Sequence, residues 1–428
     1  MKKATRKISA ELGFLLALLF FGIFSGLLIY RTTAGFHKYE PDTHLVYLAK
    51  RFTEMKLSLS PINRPIGDIV DYYTNIYLYF GPFASLILMP FAAIFGRDFP
   101  QIFLGAGSLL VTLLAIYKIA GAFRYEEEDR LWLSVFFAFS TVLFGVSVIN
   151  FSAYQIQALG ASLALLSLAE YFGKRRFWLI GIWVAAAGLT RMTLYLSVIF
   201  FLLEWLRLRL DKKALLSLLI PILLSGLVLA GYNYRRFGSV FETGYARNIT
   251  LNYFPLNDNM KYGFFSIKHI PGNLYVLLFK APEPILEDGG GFVVKFPLLR
   301  ADPWGMAIWF TSPLFLMLVR LRRNEFSRSA FFTTLALLIP VILYGGIGYS
   351  QFGYRYALDF LPFLFLLLLP NLGSSLSIGA KLLITLGVLF NCLYLSSLWD
   401  IYPHFLLEKR GGRFVGGLNW KGLFGRVY

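Results

Sequence analysis

Two adjacent stretches decide how this chain is read: LGFLLALLFFGIFSGLLIY at residues 12–30 and FHKYEPDTHLVYLAKRFTEMKLSLSP at residues 36–61. The first carries no charged side chain and has the length, about 20 residues, that an α-helix needs to cross the hydrocarbon core of a bilayer. Lys2, Lys3, Arg6 and Lys7 precede it, which predicts a retained helix with its N-terminus in the cytoplasm and sends residues 31–75 to the outer face. The run is too long, and lacks the small-residue cleavage site, for a signal peptide.

Composition extends that reading to the whole chain. Of 428 residues, 57% are hydrophobic and 15% charged, against about 25% charged in ordinary soluble domains. Apolar windows recur from end to end, as they must where lipid cannot satisfy backbone polar groups. The expected fold is therefore an all-α polytopic membrane protein of about 11–13 hydrophobic segments. A net charge of +17 in a soluble protein would suggest nucleic acid. Here Lys and Arg gather in short turns between apolar runs, so membrane lipids are the expected partner and nucleic acid is not. The single cysteine, Cys392, lies in an apolar run and reads as a packed thiol.

Further along, apolar runs cover 76–95, 102–122, 131–148 and 153–171, with the charged turn 124–130 between the second and third. The acids of that turn, 126–129, read as a solvated connection. Asn150, Tyr154, Gln155 and Gln157 form a polar interruption, and Lys174, Arg175 and Arg176 mark a cytoplasmic turn. Residues 177–206 are broken by Gly188, Thr190 and Arg191, which predicts two short helices meeting at a polar apex. A second outer loop is expected over 233–303, with a short apolar stretch at 274–279. Residues 1–370 thus form one transmembrane module, and 371–428 a last transmembrane helix with a polar, basic tail. Counting four crossings between the first loop and Lys174 puts that basic turn on the wrong side of the membrane. One run must be short or re-entrant, or one basic cluster must face outward.

The first loop holds the candidate chemistry. Residues 43–55 place Leu45, Val46, Leu48, Ala49 and Phe52 at the spacing of an amphipathic helix lying in the interface plane. Just before it stand Glu40 and Asp42. A carboxylate at the mouth of a helix bundle suits a general base for an acceptor hydroxyl. An acid directly ahead of Thr-His-Leu also suits helix capping, and the residues alone favour that reading.

Several patches read together carry a resemblance. After the first-loop acids and the in-plane helix come Asp71 and YYTNIYLYFGPFASLILMPFAAIFG at 72–96, YNYRRFGSVFETGY at 232–245, WGMAIWFTSP at 304–313 and FGYRYALDFLPFL at 352–364. Their order and spacing resemble the bacterial membrane glycosyltransferases of the C superfamily (GT-C), the group related to protein mannosyltransferases and lipid A aminoarabinose transferases, family 39-like. The resemblance spans about residues 8–370. It implies inverting transfer of a sugar from a polyprenyl-phosphate donor to a glycan, lipid or protein acceptor at the outer face of the bacterial plasma membrane. It also implies that Asp42 is the catalytic base with Glu40 beside it. Relatives often carry two adjacent acids here, whereas Pro41 separates them in this chain, so either could serve.

Such a reaction needs cations for the departing phosphate. Arg355, between Tyr354 and Tyr356, is the first candidate, because a guanidinium fork matches phosphate oxygens; an aromatic-belt anchor is its other reading. Arg191, ionisable within an apolar run, is the second, with snorkelling to the interface as its alternative. Tyr356, His44, Asp68 and Asp71 complete the substrate-binding set. Asp68 and Asp71 could instead form a solvated loop face, or position the acceptor or a divalent metal. The four histidines form no cluster, and no other cofactor is expected. Asn248-Ile249-Thr250 matches a glycosylation sequon too common to weigh. Two other functions remain open at this point: a transporter or flippase of a lipid-linked saccharide, and an enzyme of the O-antigen polymerase or ligase type.

Overall fold

The computed structural model describes residues 10–34, 43–60, 67–252, 256–286, 293–302, 304–320, 322–348 and 351–395. The chain is mainly helical. In order it forms α1 (Ala10–Ala34), α2 (His44–Thr53), strands β1 (Ile69–Tyr72) and β2 (Asn75–Leu78), α3 (Phe83–Phe95), α4 (Phe103–Ala122), α5 (Glu127–Phe139), α6 (Val142–Val148), α7 (Ser152–Phe172), α8 (Phe177–Thr190), a 3-10 turn Met192–Ser197 and α9 (Val198–Leu208). There follow α10 (Lys212–Phe237), α11 (Leu256–Met260), α12 (Ile270–Leu278), strands β3 (Glu283–Leu286) and β4 (Val294–Arg300), α13 (Ile308–Thr311), a 3-10 segment Pro313–Val319, α14 (Ser327–Leu343), a 3-10 turn Arg355–Asp359, α15 (Leu361–Leu372) and α16 (Ile378–Tyr394). Each strand pair is a two-stranded antiparallel hairpin.

Three helices, α1, α4 and α10, are long and apolar enough to cross a membrane. The pair α5 and α6, bent by 58°, reaches that length together. The bend falls at Ser140 and Thr141, where Thr141 caps the new helix by accepting from the Leu143 N–H at 3.2 Å. Asp211 starts α10 in the same way, accepting from the Ala214 N–H, and Gly238 ends it with φ of 71°. Along α10, Leu216, Ile220, Leu223, Leu224, Leu227 and Val228 remain exposed, an apolar face suited to lipid. By contrast α7 is buried at every position from 152 to 165, which makes it the central post of the bundle.

Polar contacts tie one end of the bundle together. Glu11 of α1 meets Trp132 of α5 and Lys381 of α16, and Lys381 also pairs with Asp129 at 3.5 Å. Tyr125 donates to the Leu369 carbonyl, and the Arg322 N–H to Asn371. Glu204, fully buried, accepts from Tyr171, Ser329 and Arg207, and Arg207 also reaches Glu325. The basic turns after α7 and α9 and before α14 all lie at this end.

The structure corrects two expectations. The run 76–95 is not one helix: strand β2 is followed by a turn at Gly81 and Pro82, then by the 13 residues of α3. That helix rises about 20 Å and packs against α2. Gly81 makes the turn possible, since a β-carbon there would collide with the Leu189 carbonyl at the end of α8. Of the four runs counted between the first loop and Lys174, this one is therefore a strand followed by a short helix, and α5–α6 is bent by 58°. Asp129, in turn, is not a solvated acid. It is 6% exposed, accepts from the Leu376 N–H at 3.0 Å and pins α5 to α16.

Other expectations stand. The helix predicted over 43–55 is α2, with Leu45, Val46, Leu48 and Ala49 buried. The break near Arg191 is present between α8 and α9. Cys392 is buried.

Candidate functional site

The site forms where α8 ends and where the chain turns into α15. At the end of α8, Arg191 leaves helical geometry for an extended one (φ −140°, ψ 115°). Its guanidinium then reaches Asp359, in the 3-10 turn ahead of α15, through two parallel bonds: Nε to Oδ1 at 2.8 Å and Nη2 to Oδ2 at 2.9 Å. Thr193 adds a third donor to Asp359 at 2.7 Å. Two parallel bonds fix both position and orientation, which a lysine could not do. Arg191 is therefore a buried, paired group rather than a snorkelling one.

The segment Tyr354–Tyr356 presents three side chains in three directions. Tyr354 donates to Asn273 Oδ1 of α12 at 2.6 Å, and Asn273 in turn donates to the carbonyls of Ile342 and Tyr344. Arg355 turns to α7, where Nη1 donates to Gln157 Oε1 at 3.0 Å and the guanidinium lies over the Tyr154 ring at 4.9 Å. Tyr356 sits between the two arginines, its ring 4.7 Å from the Arg355 guanidinium carbon and 5.5 Å from that of Arg191. Gln351 holds the segment, accepting from the Arg355 N–H and donating to the carbonyls of Trp304 and Ile347.

Arg355 differs from Arg191 in one respect. It is 8% exposed, its Nε has no hydrogen-bond acceptor, and no carboxylate among the described residues lies within ion-pair distance. Burying a cation without an opposite charge costs several kcal/mol (about 3–5 where a partner has been removed). The carboxylate whose charge acts on Arg355 is Asp68, from beyond ion-pair distance. The belt-anchor reading of Arg355 does not fit its burial.

Near Arg355 is Asp68, in a left-handed conformation (φ 43°) just ahead of β1. Its Oδ1 accepts from the Tyr79 hydroxyl at 2.8 Å and from Asn248 Nδ2 at 3.5 Å, while its N–H donates to Thr250 Oγ1 at 2.9 Å. The sequon residues Asn248 and Thr250 thus serve to hold this acid, and Asn248 is buried. The Asp68 carboxylate is felt at Arg355 and at the phenols of Tyr79, Tyr245 and Tyr344. Burial, and then Asp68, lifts the Tyr79 phenol well above its ordinary range. Tyr245 is pushed up to about 12, chiefly by burial, with the Arg191 charge opposing. Both phenols are neutral donors at physiological pH.

Of the remaining sequence candidates, His44 is buried, with Nε2 3.3 Å from the Gly67 carbonyl. It ties the start of α2 to the residue before Asp68. Asp71 stands exposed on β1 opposite Ile76. Glu40 and Asp42 lie outside the described residues. The N-cap position of α2 is Thr43, one residue beyond Asp42, and it makes no side-chain cap bond. Among the described residues no group of three or more His, Cys, Asp or Glu is placed to hold a metal ion.

The structure adds Asp359, Gln157, Tyr154, Tyr79 and Tyr245 to the site. Sequence held a signal for two of these, since Tyr154 and Gln157 belong to the polar interruption between two apolar runs. No family model, curated protein or solved structure matches this chain.

Proposed function

We propose that the chain is a polytopic membrane glycosyltransferase that moves a sugar from a polyprenyl-phosphate donor to an acceptor at the outer face of a bacterial plasma membrane. The observation that carries the reading is Arg355, a buried guanidinium with no paired carboxylate among the described residues, set beside the paired Arg191 and near a hydrogen-bonded acid. In this role Arg355 binds the donor phosphate and stabilises the charge that builds on it as the glycosidic bond breaks. Arg191, fixed by Asp359, supports the same field and locates Tyr356 between the two cations. Asp68 and the neutral phenols of Tyr79 and Tyr245 supply hydrogen bonds for sugar and acceptor hydroxyls. Asp42, or Glu40, takes the acceptor proton as its oxygen attacks the anomeric carbon from the face opposite the phosphate.

The element order supports a topology that agrees with the basic turns between helices. Taking α1, α4, the α5–α6 pair, α7, α8, α9, α10, residues 304–319, α14, α15 and α16 as eleven passes puts every basic turn named above on the cytoplasmic side. Asp68, Tyr245 and Arg355 then share the outer side, and α2 and α3 lie in the interface plane. The experiment is Asp42→Asn, assayed in membranes with a labelled polyprenyl-phosphate sugar. Loss of transfer with normal expression supports the assignment of the base, and full transfer, with Glu40→Gln also active, removes it.

A further inference from the structure

A second site is built on the polar edge of α2, apart from the residues described above. Tyr47, Lys50, Arg51 and Glu54 recur at helical spacings of three and four and so share one edge, while Leu45, Leu48 and Ala49 point into the core. Opposite this edge is the turn that closes α3, Gly96 and Arg97. The six residues line a cavity of about 430 Å³. We propose that this cavity binds the phosphate headgroup of an anionic membrane phospholipid, whose acyl chains lie along the aromatic face of α3.

Charge is the first part of the argument. Arg51 is already neutralised, with Nη1 donating to Glu54 at 2.7 Å and Nε to the Ser58 carbonyl at 2.9 Å. Lys50 and Arg97 are not: no carboxylate among the described residues is within ion-pair distance of either. Arg97 is held in place over the Tyr47 ring, 4.8 Å from its centroid. Two cations unpaired among the described residues in one concavity attract a phosphate. Gly96, with φ of 71° and no atom within 4 Å of where a β-carbon would be, leaves the entrance open.

The second part distinguishes a lipid from a free anion. Phe99 stacks on Phe91 at 4.8 Å, on Phe95 at 5.8 Å and on Phe103 at 5.4 Å. Phe91, Ile94, Phe95 and Phe103 are exposed at 43%, 76%, 58% and 59%. Phe95 and Phe99 of this row stand two positions before and after Arg97. A cationic cavity next to an exposed aromatic row is what a headgroup followed by hydrocarbon requires.

The test uses the full-length protein reconstituted in phosphatidylcholine vesicles with and without phosphatidylglycerol, and native mass spectrometry to count retained lipid. Phosphatidylglycerol is expected to stay bound preferentially, and Lys50→Gln with Arg97→Gln to weaken that retention about tenfold, the effect of losing about 1.4 kcal/mol. Phe95→Ser should weaken it as well. Equal retention by the double variant and the wild type would overturn the proposal. Displacement by inorganic phosphate, with no effect of Phe95→Ser, would show a small-anion site and overturn the lipid assignment. Selective retention of polyprenyl phosphate over phosphatidylglycerol would overturn it in favour of the donor's own lipid.

Discussion

Arg191 and Asp359, 168 positions apart in the chain, are joined by two parallel hydrogen bonds at 2.8 and 2.9 Å, and both are buried. The pair couples the break between α8 and α9 to the 3-10 turn that carries Arg355, so one ion pair sets the position of both proposed phosphate-binding elements. Removing one partner strands the other charge. Asp359→Asn and Arg191→Gln are each expected to lower stability by about 3–5 kcal/mol, read as a fall in the thermal midpoint in detergent. The double variant should lose less than the sum of the two, because it leaves no unpaired charge.

Arg355 is expected to respond differently. Its guanidinium has no paired carboxylate to strand among the described residues, so Arg355→Gln should leave the melting temperature unchanged or raise it. Transfer from a polyprenyl-phosphate sugar should fall by a factor of about 10²–10³, the usual cost of losing one donor to a developing oxyanion. Arg355→Lys, which keeps the charge and loses the fork, should recover only part of the rate. Thermal melts and initial rates on the same preparations separate the two effects.

The raised phenols predict an alkaline limit. With Tyr245 at about 12 in the folded protein and an ordinary phenol near 10 when unfolded, the folded state holds this proton more tightly. The stability from burying the neutral phenol is complete below about pH 10 and is lost as pH rises towards 12. Midpoints measured by chemical denaturation across that window should drop in the wild type and drop less in Tyr245→Phe.

Topology gives a prediction free of any assay for transfer. If α3 lies in the interface plane, single cysteines at Tyr73 and Arg97, both exposed, should react with a membrane-impermeant thiol reagent from the same side. Arg175→Cys and Arg209→Cys should react only from the other. The background is Cys392→Ala, since that thiol is buried. Labelling of Tyr73→Cys and Arg97→Cys from opposite sides would make residues 76–95 a crossing and restore the conflict with the basic turns.

How far the sequence could be read depended on whether a signal was local. The break before Arg191 was legible because Gly188, Thr190 and Arg191 interrupt an apolar run within four positions. The helix at 44–53 was legible from its spacing alone. The run at 76–95 was misread because Ile76, Tyr77 and Leu78 are as apolar as any helix, and hydropathy does not distinguish a strand from a helical turn. Only Gly81 and Pro82 marked the change, and the reason for Gly81 is the Leu189 carbonyl of another helix. Asp359 lay in view inside FGYRYALDFLPFL, yet its role depends on a partner 168 positions away. The same holds for Asp129, whose burial is set by the start of α16.

The central claim is that the anion site around Arg355 serves sugar transfer. The most direct measurement follows a labelled polyprenyl-phosphate sugar in proteoliposomes, recording both the free polyprenyl phosphate released and the sidedness of intact donor. The wild type is expected to release polyprenyl phosphate and place label on an acceptor, and Arg355→Gln to do neither. Movement of intact donor across the bilayer with no phosphate lipid released would contradict the claim and make the protein a carrier of lipid-linked saccharide.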